Sequence, residues 1–202
     1  MATLRSPYAV APTDPEAYLA RMKAKSATIL FLPDRGRTGD GHWLKRWQEK
    51  LSTGRTVPVD THNPAADRWL SMLSSTVEET DGPLVLVGHG LGAGVAALAA
   101  PSLADRVRGA FLVAPPALAE DAGDDPALFG PYRRDPFPFP SIVVASRTDP
   151  LCPYETIEDL AGAWGSLLID GGEIGRINEE SGHGPWPEGS LTFARFISRL
   201  PD

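Results

Sequence analysis

The sharpest chemical signal in the chain is the run LVLVGHGLGAGVAALAA, residues 84–100. An apolar strand enters Gly88-His89-Gly90-Leu91-Gly92, and a helix of small residues follows at once. This is the strand–turn–helix setting of a nucleophile elbow, G-x-S-x-G, whose central residue points into the site. Its flanking glycines allow a tight turn and close packing of helix on strand. Here the central residue is Gly90, which has no hydroxyl to offer. A glycine-rich βα turn without chemistry of its own gives the same pattern. A phosphate cradle is the weaker alternative, since neither G-x-x-x-x-G-K-[ST] nor the three-glycine dinucleotide spacing is present.

Other residues able to do chemistry cluster in three loops. Leu32-Pro33-Asp34-Arg35-Gly36-Arg37 follows an apolar run, Asp149 lies in SRTDPLCPYE, and Arg176 and His183 share GRINEESGHGPWPEG. Arginines in loops usually face water. The functional alternative is a site for a polar or anionic small molecule, with Arg176 forking onto a carboxylate or phosphate. Asp34, Arg35 and Leu91 would then line it, and Asp149 would pair with Arg176. His183 is a solvent-exposed loop histidine or a displaced base, and a base must reach its partner by hydrogen bond. His89 and His42 are expected to pack structurally, Cys152 to be a small buried apolar residue, and Ser181 to serve a turn. Ser146 and Tyr154 lie close enough in sequence to reach the site mouth.

These loops need a frame to converge. Nearly continuous apolar runs at Thr28–Leu32, Val57–Val59, Leu84–Val87, Ala110–Val113, Ile142–Ala145 and Leu167–Ile169 predict strands covered on both faces. Between them, 3/4 spacing predicts helices over His42–Leu51, Ala65–Val77, Leu91–Ala100, Tyr154–Ala163 and Ser190–Leu200. Such alternation predicts an open α/β sheet of about six mostly parallel strands, whose ligands sit at the strands' C-terminal edge. Residues 1–25 read as an N-terminal extension with a short helix over Pro15–Lys23, and 26–202 as one α/β domain. The proline-rich connection 115–140 is expected to wall the site.

Length and composition bound the function. The chain has 202 residues, 42% hydrophobic and 22% charged, enough apolar material for one core. Its formal net charge of −7 argues against a protein that grips a nucleic-acid backbone. No apolar run is long enough to span a bilayer. No signal-type segment opens the sequence, so a cytoplasmic location is expected. A single cysteine leaves no intrachain disulfide and no cysteine-built zinc site. No metal or cofactor is expected. The expected partner is a small molecule, with a second copy of the chain as a further candidate.

Over about residues 27–200 the sequence resembles the small, lidless α/β-hydrolases of the retinoblastoma-binding-protein-9 (serine hydrolase) type. The likeness rests on the first strand with its loop and His42-Trp43, on Gly88-His89-x-Leu91-Gly92, on SRTDPLCPYE and on GRINEESGHGPWPEG. It implies a Ser…Asp…His order, and by motif those positions fall on Gly90, Asp149 and Arg176. A glycine cannot attack a carbonyl, and a guanidinium stays protonated and cannot act as base. The loop expected to supply half of an oxyanion hole carries Asp34-Arg35 where the family has Gly-Trp. The resemblance therefore implies a hydrolase scaffold used for binding or for non-hydrolytic catalysis. The alternatives are a serine hydrolase whose nucleophile was replaced by Gly90, with His183 as base, and an interaction protein with a dead triad. An open cleft is expected above Gly90, with Arg176 turned inward to Asp149.

Overall fold

The computed structural model describes residues 27–118 and 130–200. Six strands form one sheet: β1 (Thr28–Leu32), β2 (Gly54–Thr56), β3 (Leu84–His89), β4 (Val107–Val113), β5 (Ser141–Ala145) and β6 (Leu167–Asp170). Their order is β2-β1-β3-β4-β5-β6 and every neighbouring pair is parallel. Five α-helices among the described residues flank it: α1 (Trp43–Lys50), α2 (Ala66–Glu79), α3 (Leu91–Ala99), α4 (Tyr154–Trp164) and α5 (Pro187–Ile197). This is the expected α/β architecture. The expected helix in residues 1–25 and the middle of the 115–140 connection lie outside the described residues.

The sequence of the central strands follows from burial on two faces. Ile29 and Phe31 of β1 face one helical layer, while Leu30 and Leu32 face the other. The first layer is α1 and α5. Trp47 there stacks on Trp186 and Phe193, and Trp43 meets both Trp47 and Trp186 edge-on. The second layer is α2, α3 and α4, anchored by Trp69, Leu73 and Trp164. α3 is built from Ala, Gly, Val and Leu because it is buried on almost every side. No helix among the described residues is long and apolar enough to cross a membrane.

β4 begins at Val107, three residues earlier than expected, β6 is partly exposed rather than covered on both faces, and two further elements depart from expectation. The second strand is Gly54–Thr56, not Val57–Val59. Val57 donates its N–H to the Phe31 carbonyl at 2.9 Å just past the ladder and is buried, so the apolar signal marked packing after the strand. α5 begins three residues earlier than the apolar spacing suggests, with Pro187 in its first turn, where a missing N–H costs nothing.

The topology decides where the loops go. From β1 the chain moves outward to β2, then returns to place β3 on the other side of β1. The loops leaving β1 and β3 therefore open into the crevice where the strand order reverses. Leu32 pairs in register with Gly88, which brings the Asp34 loop against the Gly90 turn.

Candidate functional site

Gly90 sits between β3 and α3 at φ 53, ψ −123, a backbone conformation that glycine adopts freely. A Cβ at Gly92 would run into the Leu32 and Pro33 carbonyls, so α3 packs on the end of β1 only with glycine there. The elbow geometry predicted for this stretch is present.

The position directly over the elbow is filled. A Cβ built on Gly90 would overlap the carboxyl group of Asp34. Asp34 Oδ1 accepts the backbone N–H of Leu91 and of Arg35, each at 2.8 Å. Its Oδ2 is ion-paired with Arg176 Nη2. Arg176 Nη1 donates to Asp149 Oδ1 at 3.4 Å, and Asp149 Oδ1 also accepts the Leu151 N–H at 2.9 Å. Arg176 thus points inward and bridges two carboxylates. The side chains of Asp34, Arg176 and Asp149 are 19%, 14% and 3% exposed. The sheltered trio carries one positive and two negative charges.

Electrostatics splits the two carboxyls. Burial pushes Asp34 up, but the His89 ring, the Arg176 guanidinium and the Leu91 N–H together hold it below its ordinary value. Burial also keeps His89 low and therefore neutral, so Arg176 is the cation that counts at neutral pH. At Asp149 burial outweighs the Leu151 N–H and Arg176, and the carboxyl lies above its ordinary value.

A layer of buried residues aims Arg176. His89 Nε2 donates to the Arg176 carbonyl at 2.8 Å, which fixes the proton on Nε2. Trp43 Nε1 donates to the next carbonyl, Ile177, at 2.8 Å. Ile177 is fully buried with φ 55, a strained conformation for a β-branched residue, and these two contacts help hold it there. His42 caps α1 by accepting the Leu44 N–H at 3.1 Å, and its ring lies 4.9 Å from His89. Burial first, and His89 second, drive His42 down to about 3, so it is neutral at pH 7. Trp43→Phe is expected to cost about 1–3 kcal/mol, because it leaves the Ile177 carbonyl buried without its donor. Urea denaturation measures this, and an unchanged midpoint would discount the bond.

Sequence reasoning missed how the loops are joined. Ser146 Oγ accepts the N–H of Thr148 at 3.2 Å and of Ile174 at 3.1 Å, and Thr148 Oγ1 accepts the Gly175 N–H at 3.0 Å. The Asp149 loop and the Arg176 loop are stitched by two hydroxyls. Ser146 is therefore buried support, not a group at the site mouth. Tyr154 stacks under the Arg147 guanidinium at 4.9 Å. Cys152 is buried and its thiol is pushed up to about 11, first by burial and then by Asp149.

One further candidate residue joins the site by its backbone, and one lies apart from the trio. Arg35 contributes its backbone N–H, while the residue itself is exposed. His183 is not brought to Asp149: its Nδ1 faces Ser181 Oγ at 3.2 Å and its ring lies edge-on to Trp186. It lines a separate cavity of about 440 Å³ with Ile169 and Thr192. Leu91 supplies its N–H from the first turn of α3.

The serine hydrolase family model matches residues 29–195, from β1 into α5. The chain belongs to the serine hydrolase family. Among solved structures, this serine hydrolase family member is similar to a YdeN-like hydrolase from Pectobacterium atrosepticum, at 27% identity and a TM-score of 0.81. That match covers 93% of this chain and 99% of the other. It is also similar in fold to the ydeN gene product of B. subtilis, at 18% identity and a TM-score of 0.63, over 86% and 100% of the two chains. Est1E from Butyrivibrio proteoclasticus is similar at 15% identity and a TM-score of 0.62, over 89% and 91%. No protein in the comparison of curated sequences matches the chain.

Proposed function

We propose that this serine hydrolase family member is non-hydrolytic and binds a small molecule on the hydrolase scaffold. In this reading Gly90, Asp149 and Arg176 stand at the nucleophile, acid and base positions. One observation carries it: the Asp34 carboxyl lies where a side chain at position 90 would begin, and takes the N–H groups of Leu91 and Arg35. In a hydrolase, two such N–H groups would meet the developing oxyanion. The rest of the chemistry is equally closed. Position 90 has no hydroxyl, and Arg176 stays protonated. His42 and His89 are neutral, but His42 Nδ1 and His89 Nε2 are bonded to backbone groups and not to a nucleophile. The engagement of His183 with Ser181 speaks against the displaced-base alternative.

The purified full chain is expected to resist labelling by a fluorophosphonate probe and to leave activated short-chain esters at their background rate. Stoichiometric labelling of a single residue would reveal another nucleophile and end this reading.

A further inference from the structure

We propose that the cavity between α1 and the loops after β1 and β2 binds a small organic anion, an apolar body carrying one carboxylate or phosphate group. This deepens the reading above and rests on it, because it gives the small molecule a place and a charge. The cavity measures about 380 Å³, within the usual size of ligand sites. It lies past the C-terminal ends of β1 and β2, the edge at which open α/β sheets take their ligands. It is separate from the filled elbow, since neither Gly90 nor Arg176 lines it.

Floor and rim differ in chemistry. Pro33, Leu44 and Val57 are buried and give the cavity an apolar floor. Arg37 and His62 are exposed and Lys45 is half-buried, so these three form its rim. No carboxylate lines the cavity, in a chain whose formal net charge is −7. Lys45 is ion-paired with Asp40, which lies outside the lining. Lys45 first, and Arg37 after it, hold the Asp40 carboxyl below its ordinary value. Two cations therefore share one exposed carboxylate, and an incoming anion meets the charge left over, whereas a cation is repelled. The walls are fixed before any ligand arrives. Gly36 donates its N–H to the Thr61 carbonyl at 2.6 Å, which joins the two loops. In the second loop Asp60 Oδ1 accepts the N–H groups of His62 and Asn63 at 3.0 and 3.2 Å, and Trp69 Nε1 donates to the Asp60 carbonyl at 3.1 Å. Such preorganisation spares a ligand the cost of ordering its site.

The test uses three probes that share one body and differ in charge: para-fluorobenzoate, para-fluorobenzyl alcohol and para-fluorobenzylamine. Each is titrated into the full-length protein at an ionic strength held constant with sodium chloride, and the ¹⁹F line width is followed. The benzoate is expected to bind saturably, with a Kd of about 10 mM or tighter for a ligand of this size. That Kd should lie at least ~5-fold below the alcohol's, and the amine should bind more weakly than the alcohol. Arg37→Gln is expected to remove most of the preference for the benzoate and to leave the alcohol unchanged. Thr56→Trp, which fills the cavity from the exposed edge strand, is expected to abolish binding of all three probes. Should it not fold, Gln48→Trp on α1 is read in its place. Displacement of the benzoate by phenyl phosphate, set against displacement by unlabelled benzoate, tells which head group the cavity takes. Equal affinity for benzoate and alcohol, tighter binding of the amine, or undiminished binding in a folded Trp variant overturns the inference. The two readings fail separately. A chain that stays unlabelled by fluorophosphonate and binds none of the probes loses this inference alone, while a labelled chain loses the non-hydrolytic reading whatever it binds here.

Discussion

Arg176→Met is expected to lower the stability of the folded chain by about 3–5 kcal/mol near neutral pH, the cost of stranding buried charge. For a domain of this size that is a fall in Tm of roughly 6–20 °C. The size follows from geometry. Arg176 is the guanidinium shared by Asp34 and Asp149, and its removal leaves two ionised carboxyls facing each other in a sheltered crevice. Arg176→Lys keeps the charge but not the fork, and its loss should be smaller. The deficit also has a pH signature. In the unmodified chain Asp34 is depressed, so its ionised form contributes stability above the unfolded carboxyl value of about 3.9, lost as pH falls through its lower folded value. Asp149 is raised, so its ionisation costs stability above its folded value. That cost disappears as pH falls from there toward about 3.9. Without Arg176 both carboxyls move up, and protonation relieves the stranded charge. The gap between variant and parent should therefore be widest near pH 7 and narrow toward about pH 4.5. Urea denaturation at both values measures it, and a deficit below about 1 kcal/mol at pH 7 would mean that the trio is solvated.

The triple change Asp34→Gly, Gly90→Ser and Arg176→His is expected to gain what the double change Gly90→Ser with Arg176→His lacks. A serine installed beneath Asp34 has its Cβ inside the Asp34 carboxyl, and the Leu91 and Arg35 N–H groups remain taken. Clearing Asp34 frees both donors together with the side-chain space. One oxyanion-hole donor is worth about 10²–10³ in rate. Ester cleavage by the triple variant should therefore exceed that of the double by about 10² or more. Fluorophosphonate labelling should appear in the triple variant first. Equal rates in the two would mean that the Asp34 carboxyl leaves the elbow readily when serine is present.

What sequence could reveal here was set by the range of the interactions. β1, β3, β4 and β5 are legible because each is a short apolar run buried on both faces, a pattern that depends on neighbours in the chain. β2 is an edge strand of Gly54, Arg55 and Thr56, two of them exposed, and has no such pattern. Arg176 was traceable to Asp149 because two motifs fixed both loops in one crevice. The seat of Asp34 was not traceable. It depends on the conformation of a loop after β1, and on the fact that residue 90, distant in sequence, presents an empty Cβ position there. A clue was nonetheless present, since Asp34 stands in the loop from which the resemblance implies N–H donors, and the residue expected to face that loop, Gly90, has no side chain. Ser146 and Thr148 were hidden for a different reason: hydroxyls that accept from neighbouring loops carry no signature in spacing.

Glycine at the elbow bears on how much change this chain can tolerate. A residue with a side chain held near φ 53, ψ −123 costs on the order of 1–3 kcal/mol, a burden that an active hydrolase carries in every generation. Natural proteins sit only a little above the stability that folding requires, so such a burden limits which further substitutions survive. At Gly90 the burden is absent. A lineage with this elbow has a wider margin for mutation elsewhere, above all in the loops after β1, β5 and β6 that meet beside it. A glycine at the elbow thus leaves those loops more room to vary at constant fold.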